Sequence, residues 1–450
     1  MIAAARRWLR LSLLAISLSI PGTGIARANP ADVFGLGSRA VALGGAATAV
    51  VDDSSANYYN PAALARGRDL RIDLGYRYAT SALHINDRAA DVDTARGVQA
   101  GIVAPGAIGP VRFAFGAVLF LPDQRATRVR ALAFDQPRFV EFDNRPQRLL
   151  LSVNLAFRIV DGVYVGGGIT FMSRTEGEVL LRGNVAVIDT EDVSSLQTRA
   201  AVDLVAIRYP QVGILVEPAP WLSLALSYRH GFDLSLEQRF RIDGSIGNPG
   251  AAPIVEQGFF AARSLSHDLF QPWQLTLGGA VRLHRRVRAS YDLTFARWSD
   301  FPQSASDLTL ELDIGKFNSL VQLPPKRAFP SPGFHDILVP RVGFEWRAWD
   351  GARLGLDLRA GYAYQPTPAP EQVGESNLLD SDKHVFTLGA GIVVPTLGGI
   401  LLRPLTLDAH VGLHYLPERY HRKLDPLDRA GDLAAGGLLV QLGVTLGVKF

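Results

Sequence analysis

Asp408, His410 and His414 recur along one stretch of chain, and a carboxylate beside two imidazoles is the raw material of a metal site or a hydrolase. Their spacing argues against both. In extended chain, residues two apart lie roughly 7 Å from each other and positions 410 and 414 about 13 Å, too far to chelate one ion. The run Gly166-Gly167-Gly168 sits inside an apolar alternating segment rather than between a strand and a helix, so it makes no phosphate loop. There is no cysteine among the 450 residues, which excludes disulfides, thiolate metal sites and cysteine nucleophiles. Neither Gly-x-Ser-x-Gly nor His-Glu-x-x-His occurs. These residues point to no enzyme, no metal and no cofactor.

Charge narrows the field further. The formal net charge is +3, but Arg6, Arg7, Arg10 and Arg27 all fall in the first 28 residues, which hold no acid. That segment reads as a secretory signal peptide: a cationic start, an apolar run over 11–20, Pro21, and Ala26-Arg27-Ala28 as the cleavage site. Its removal leaves 42 basic residues against 43 acidic ones, a net charge of about −1, which gives nucleic-acid binding no electrostatic footing. Ten apolar residues are half of the roughly 20 that a spanning helix requires.

What must position the remaining groups is a set of strands. Over 405–415, Leu405, Leu407, Ala409, Val411, Leu413 and Tyr415 alternate with Thr406, Asp408, His410, Gly412 and His414. The same period of two runs through 438–450 and 70–78, which makes one face apolar and the other polar. Fourteen such segments centre near residues 75, 101, 116, 153, 168, 210, 227, 278, 292, 342, 359, 389, 410 and 444. Each is about as long as the 9 to 11 residues that a tilted strand needs to cross a bilayer. Short and long connections alternate between them, the pattern of tight periplasmic turns and long outer loops. Tyr76, Tyr78, Tyr228, Tyr362, Tyr364 and Tyr415 close the apolar faces as an interfacial girdle would. The polar faces carry Arg71, Arg77, Arg158, Arg229, Arg282, Arg288, Arg341, Arg347 and Arg359, which a dry sandwich core would not hold without great cost. The expected fold is therefore all-β, a transmembrane antiparallel β-barrel of about 14 strands over 70–450.

Residues 29–69 do not alternate. They are small-residue segments and turns, too short to bury a core alone, and are expected to plug the barrel lumen. Gly37-Ser38-Arg39-Ala40, Gly44-Gly45-Ala46, Asp52-Asp53 and above all Asn60-Pro61-Ala62 resemble the hatch of the FadL/OmpP1/TodX family of outer-membrane transport proteins for hydrophobic compounds. Weaker echoes are Gly361-Tyr362-Ala363-Tyr364 with Pro366 and Pro368, Asp382, His384, and the final strand. Its terminal Phe450 resembles the signal read by the barrel-assembly machinery.

The resemblance implies a monomer in the outer membrane of a Gram-negative bacterium, surrounded by outer-membrane lipid. It would take up hydrophobic small molecules such as long-chain fatty acids without nucleotide hydrolysis. Ligand would be caught by outer loops, held in the lumen, and released sideways on movement of the hatch, with Asn60, Pro61 and Ala62 as the gate. The lateral opening is implied at an inward kink of the third strand, 111–121, where Gly116 is the candidate. Phe259-Phe260 and Val179-Leu180-Leu181 are candidate capture clusters in the loops. Arg71, Arg77 and Arg158 are candidates for holding a ligand carboxylate. A FadL-like barrel serving as a scaffold in protein secretion or assembly is the alternative; a plain aqueous porin fits less well, since a plug argues against it.

Overall fold

A computed structural model describes residues 30–450 except 91, 124–135, 143–148, 173–174, 185–194, 205–206, 247–254, 303–306, 316–317, 319–330 and 397–402. The signal peptide expected at 1–28 lies outside the described residues.

All fourteen expected segments are strands. They are β1 (Arg71–Ile85), β2 (Ala95–Ile108), β3 (Val111–Pro122), β4 (Leu150–Val160), β5 (Val163–Met172), β6 (Ile207–Ala219) and β7 (Leu222–Arg229). The second half holds β8 (Gln274–His284), β9 (Val287–Ala296), β10 (Ile337–Asp350), β11 (Gly355–Gln365), β12 (Lys383–Val394), β13 (Leu405–His421) and β14 (Leu433–Lys449). Each pairs antiparallel with its neighbours in sequence, and β1 pairs with both β2 and β14, so that Tyr76 stands opposite Val98 and Val444. The sheet closes on itself. Closure leaves no edge, which is the condition for strands to span lipid, where an unpaired N–H or C=O finds no water. No helix among the described residues is long and apolar enough to cross a membrane.

The alternation sorts the side chains as required. Ile72, Leu74, Tyr76 and Tyr78 of β1 face outward beside Val440, Leu442 and Val444 of β14, while Arg71, Asp73, Arg77 and Gln441 are buried inside. Arg282 departs from the expected inner placement. It is exposed, beside a register shift between Arg282 and His284 where β8 runs out into its short turn.

Two features of the long-loop end exceed the sequence reading. Thr175–Asn184, Ser195–Leu204, Phe232–Ile246, Val255–Gln271 and Asp307–Asp313 form a second, five-stranded antiparallel sheet within three of the long connections. In addition, residues 137–142 fold inward: Arg138–Phe139 pairs in parallel with Leu378–Leu379, and Glu141 meets the buried Lys383 of β12. Phe139 and Phe142 then share one apolar cluster with Phe34 from the leading segment.

That leading segment fills the lumen. It contains short helices at Pro30–Phe34, Ser38–Ala42 and Ala56–Tyr59 and a 3-10 helix at Pro61–Arg66. Between residues 36 and 65 only Asp52 is exposed. Gly44 and Gly45 both take left-handed φ values, 66° and 76°, in the turn after the second helix, which a side chain would strain.

Candidate functional site: the hatch and the lumen wall

The Asn60-Pro61-Ala62 motif is a fastening. Asn60 has extended backbone and caps the 3-10 helix, its Oδ1 accepting from the Ala62 N–H at 3.1 Å, with Pro61 at the first helical position. Its Nδ2 donates to the Thr48 carbonyl within the hatch and to the Ile214 carbonyl on β6, each at 3.1 Å. One acceptor and two donors on a short planar side chain are what this position uses, and asparagine supplies them. Ala62 is fully buried against β5, where a Cβ on Gly166 would lie 2.6 Å from the Ala62 nitrogen.

One turn earlier, the Asn57 carbonyl accepts from Ser152 Oγ at 3.2 Å, Asn154 Nδ2 at 3.1 Å and Gln211 Nε2 at 2.5 Å. These three wall residues come from β4 and β6. Nothing local in sequence ties them to Asn57. Charged contacts add to the attachment. Arg39 bridges Asp52, at 2.5 Å, and Glu345 of β10, at 2.8 Å, and Arg66 reaches Glu217 of β6 at 2.5 Å. Asp292 of β9 accepts from the N–H groups of Ala47 and Thr48 at 2.9 and 3.0 Å and from the Thr48 hydroxyl at 2.7 Å. Asp32 meets both the Tyr58 hydroxyl and Arg229 of β7, whose second terminal nitrogen donates to the Tyr58 carbonyl at 2.9 Å. Burial pushes the Tyr59 hydroxyl up to about 12, so it stays neutral and accepts from the Leu36 N–H at 3.3 Å.

The wall makes room for this segment with glycine. Cβ atoms on Gly361, Gly389, Gly343, Gly101 and Gly213 would stand 2.0, 2.4, 2.7, 2.4 and 2.0 Å from Gly44, Ala42, Leu43, Ser54 and Asn60 atoms respectively. All lie on the inner face of different strands. Gly116 belongs to the same set. β3 pairs with β2 and β4 through Gly116 without a register shift on either side, with Val103 and Asn154 opposite it. A Cβ would instead meet Asn57 Oδ1 at 2.5 Å and Leu64 at 2.7 Å, so the glycine clears space for the hatch.

Between the hatch and the long-loop half of the wall lies a cavity of about 130 Å³. The hatch contributes Val33, Phe34, Val41, Tyr58 and Tyr59, and the wall Trp298, Ile337, Val339, Arg341, His414 and Gln441. Asp32, Glu141, Arg229, Asp292 and Lys383 also line it, so charged groups share this small cavity with the apolar ones.

The candidate arginines separate. Arg71 pairs with Asp73 at 2.8 Å and reaches Thr406 at 3.3 Å, and Arg158 pairs with Asp161 at a short turn. Arg77 donates to the Gly35 carbonyl at 2.6 Å and has no acid within ion-pair reach among the described residues. Asp408 serves Arg359 and His414 contacts Gln441 at 3.1 Å, so these groups are wall structure. No group of three metal-ligating side chains occurs among the described residues. Of the capture clusters, Phe259 lies half-buried under the Arg241 guanidinium at 4.3 Å, whereas the side chains of Val179, Leu180 and Leu181 lie outside the described residues.

Comparison with known proteins agrees with this architecture. The sequence matches the family described as "Outer membrane protein transport protein (OMPP1/FadL/TodX)" over residues 22–397. A FadL homologue from Pseudomonas aeruginosa is 18% identical with a TM-score of 0.54, over 95% of this chain and 99% of that one. The TodX deltaS2S3 mutant, titled a monoaromatic hydrocarbon channel, is 16% identical with a TM-score of 0.51, over 92% of this chain and 99% of that one. The Pseudomonas putida toluene transporter TodX is 15% identical with a TM-score of 0.48, over 91% of this chain and 98% of that one. No individual curated protein matches significantly. A family match across most of the chain, on a closed barrel stoppered by its own leading segment, places this outer-membrane protein in the OMPP1/FadL/TodX family of channels for hydrophobic compounds.

Proposed function

We propose that the protein passively takes up hydrophobic small molecules, with long-chain fatty acids or related lipids as the substrates and no chemical step. Outer loops capture the ligand, the cavity between hatch and wall holds it, and a shift of the hatch lets it leave sideways into the bilayer near β3. The observation that carries this reading is the cavity itself: one side of it is hatch, and at about 130 Å³ it is too small for a long acyl chain while that segment is seated, so ligand entry and hatch movement are coupled. An apolar molecule moving from loops to cavity to lipid never has to cross bulk water. Asn57 and Leu64 cover the inside of Gly116 on β3, so withdrawal of the hatch would uncover the strand next to the proposed exit. The protein works as a monomer in outer-membrane lipid after insertion by the barrel-assembly machinery.

The test is uptake of a panel of fatty acids and aromatic hydrocarbons by strains with and without the gene, together with an Asn60→Ala, Pro61→Ala variant. Deletion should cut uptake of long-chain fatty acids at least about 10-fold. The variant, which frees the Thr48 and Ile214 carbonyls and the Ala62 N–H, should restore only a minor part of it. Equal entry of every substrate in the deletion strain would end the uptake reading.

A further inference from the structure

The short-turn rim of the barrel concentrates positive charge in one sector. Residues 282–288 hold Arg282, Arg285, Arg286 and Arg288 with His284 and no acid. Arg285 and Arg286 form the tip of the β8–β9 turn, and Arg353 lies at the tip of the β10–β11 turn. All three are exposed, with no acid within ion-pair reach among the described residues. The two hairpins are adjacent: β9 pairs with β10, and the Arg347 N–H donates to the Arg286 carbonyl at 2.7 Å. Two other turns on this rim are balanced, Arg158 pairing with Asp161 between β4 and β5, and Glu217 between β6 and β7 meeting Arg66. Two bulges turn side chains of the basic sector toward lipid. On β10, Trp346 stands opposite Leu358 and Trp349 opposite Leu356, with a register shift between Arg347 and Trp349. Strict alternation would send position 349 inward; the extra residue returns Trp349 to the outer face, where it is 62% exposed and Trp346 49%. On β8 the shift between Arg282 and His284 sets His284 opposite Val287, whose other partner is Trp346.

We infer that this sector of the rim docks the head groups of anionic phospholipid in the leaflet that meets the short turns. Tryptophan settles at the boundary between acyl chains and head groups, so Trp346 and Trp349 mark that depth here. Arg285, Arg286 and Arg353 follow directly beyond the rings, toward the turn tips, and so come level with the lipid phosphates. A guanidinium offers paired N–H donors to two oxygens of a phosphodiester. Three of them without a neutralising acid leave a charge that an anionic lipid answers, as basic clusters beside other membrane spans do. The head group of phosphatidylethanolamine carries its own ammonium, which these arginines repel. That of phosphatidylglycerol carries none, and it is the chemistry that fits. An acidic soluble protein would meet the arginines but not the outward rings, so the paired tryptophans favour the membrane as the partner. The inference rests on the barrel's place in the outer membrane and is independent of the uptake reading.

The experiment reconstitutes the full chain into vesicles of equal parts phosphatidylethanolamine and phosphatidylglycerol, extracts it into mild detergent and counts the retained lipids by native mass spectrometry. Phosphatidylglycerol should be retained at least about 10-fold over phosphatidylethanolamine. The combined variant Arg285→Gln, Arg286→Gln, Arg353→Gln should bring the ratio near one. The combined variant Arg88→Gln, Arg422→Gln, Arg429→Gln removes the same charge from exposed positions in the long loops and should leave the ratio unchanged. In vesicles, tryptophan fluorescence should be quenched more by dibrominated phosphatidylglycerol than by dibrominated phosphatidylethanolamine, and Trp346→Phe, Trp349→Phe should remove that difference. If the short-turn arginine variant fails to assemble, the fluorescence difference and its loss in the tryptophan variant decide. Equal retention of the two lipids by the native protein, or a preference that survives loss of the three short-turn arginines, overturns the site. Inorganic phosphate at millimolar concentration that strips the retained phosphatidylglycerol assigns the arginines to a soluble anion and overturns the lipid as their partner.

Discussion

Placing a leucine at Gly361 should drive the hatch from its seat while the barrel still assembles. Even a bare Cβ at that position would stand 2.0 Å from the Gly44 nitrogen and 2.2 Å from the Leu43 carbonyl carbon, and both are backbone atoms. A flexible side chain can turn away from a clash, but a turn with two left-handed glycines cannot, so the segment must lift. Gly343 and Gly389 on the flanking strands offer no room either, since Leu43 and Ala42 press on them. The outward strand pairing of β11 with β10 and β12 is untouched by an inner-face change. Heat-modifiable electrophoretic mobility should therefore stay native, while conductance in planar bilayers and sensitivity of cells to large polar antibiotics should rise at least about 10-fold. Gly279→Leu, at a wall glycine with nothing within 4 Å of an added Cβ, is the control and should change neither. A Gly361→Leu barrel that remained closed would mean that the hatch does not occupy this face.

The second large effect is expected at Arg359. Its guanidinium contacts Asp408 at 2.6 Å, Glu345 at 2.7 Å and Asp357 at 3.4 Å, and the side chain is 3% exposed. One cation thus serves three carboxylates on three strands. Arg359→Met would leave Glu345 with Arg39 and Asp357 with Arg347, but Asp408 would lose its ion-pair partner. Breaking a buried pair from one side typically costs about 3–5 kcal/mol. Denaturant unfolding in detergent should show a loss of that size, and adding Asp408→Asn to Arg359→Met should recover most of it. A loss below about 1 kcal/mol is the surface-pair value and would mean that water reaches the network.

The barrel was legible because lipid outside and a polar lumen inside impose one face each on every strand, and that contrast survives in a single sequence as period two. The same signal continues through Phe232, Leu234, Leu236, Phe240 and Ile242, beyond the rim at which the expected strand near 227 stops, and it belongs to the outer sheet. The plug was legible from its failure to alternate. Its docking was not, because Asn57 meets Ser152, Asn154 and Gln211 across about 100 to 150 residues of chain, a pairing that only closure of the barrel creates. Gly116 shows why one glycine is ambiguous: a bend in a strand and close approach of another backbone ask for the same missing side chain. Arg71 had a readable clue, since Asp73 lies two positions on and therefore on the same face.

The whole account depends on the leading segment sitting inside a closed barrel, and the absence of native cysteine allows a direct test. Ser38 in the hatch and Thr445 on β14 have hydroxyl oxygens 2.9 Å apart, although 407 positions separate them in sequence. A Ser38→Cys, Thr445→Cys protein, oxidised in intact outer membranes, should form the crosslink nearly completely, migrate as a looped chain when unfolded without reductant, and lose uptake until reductant is added. Two thiols that stay free and open to a maleimide in the folded protein would contradict it.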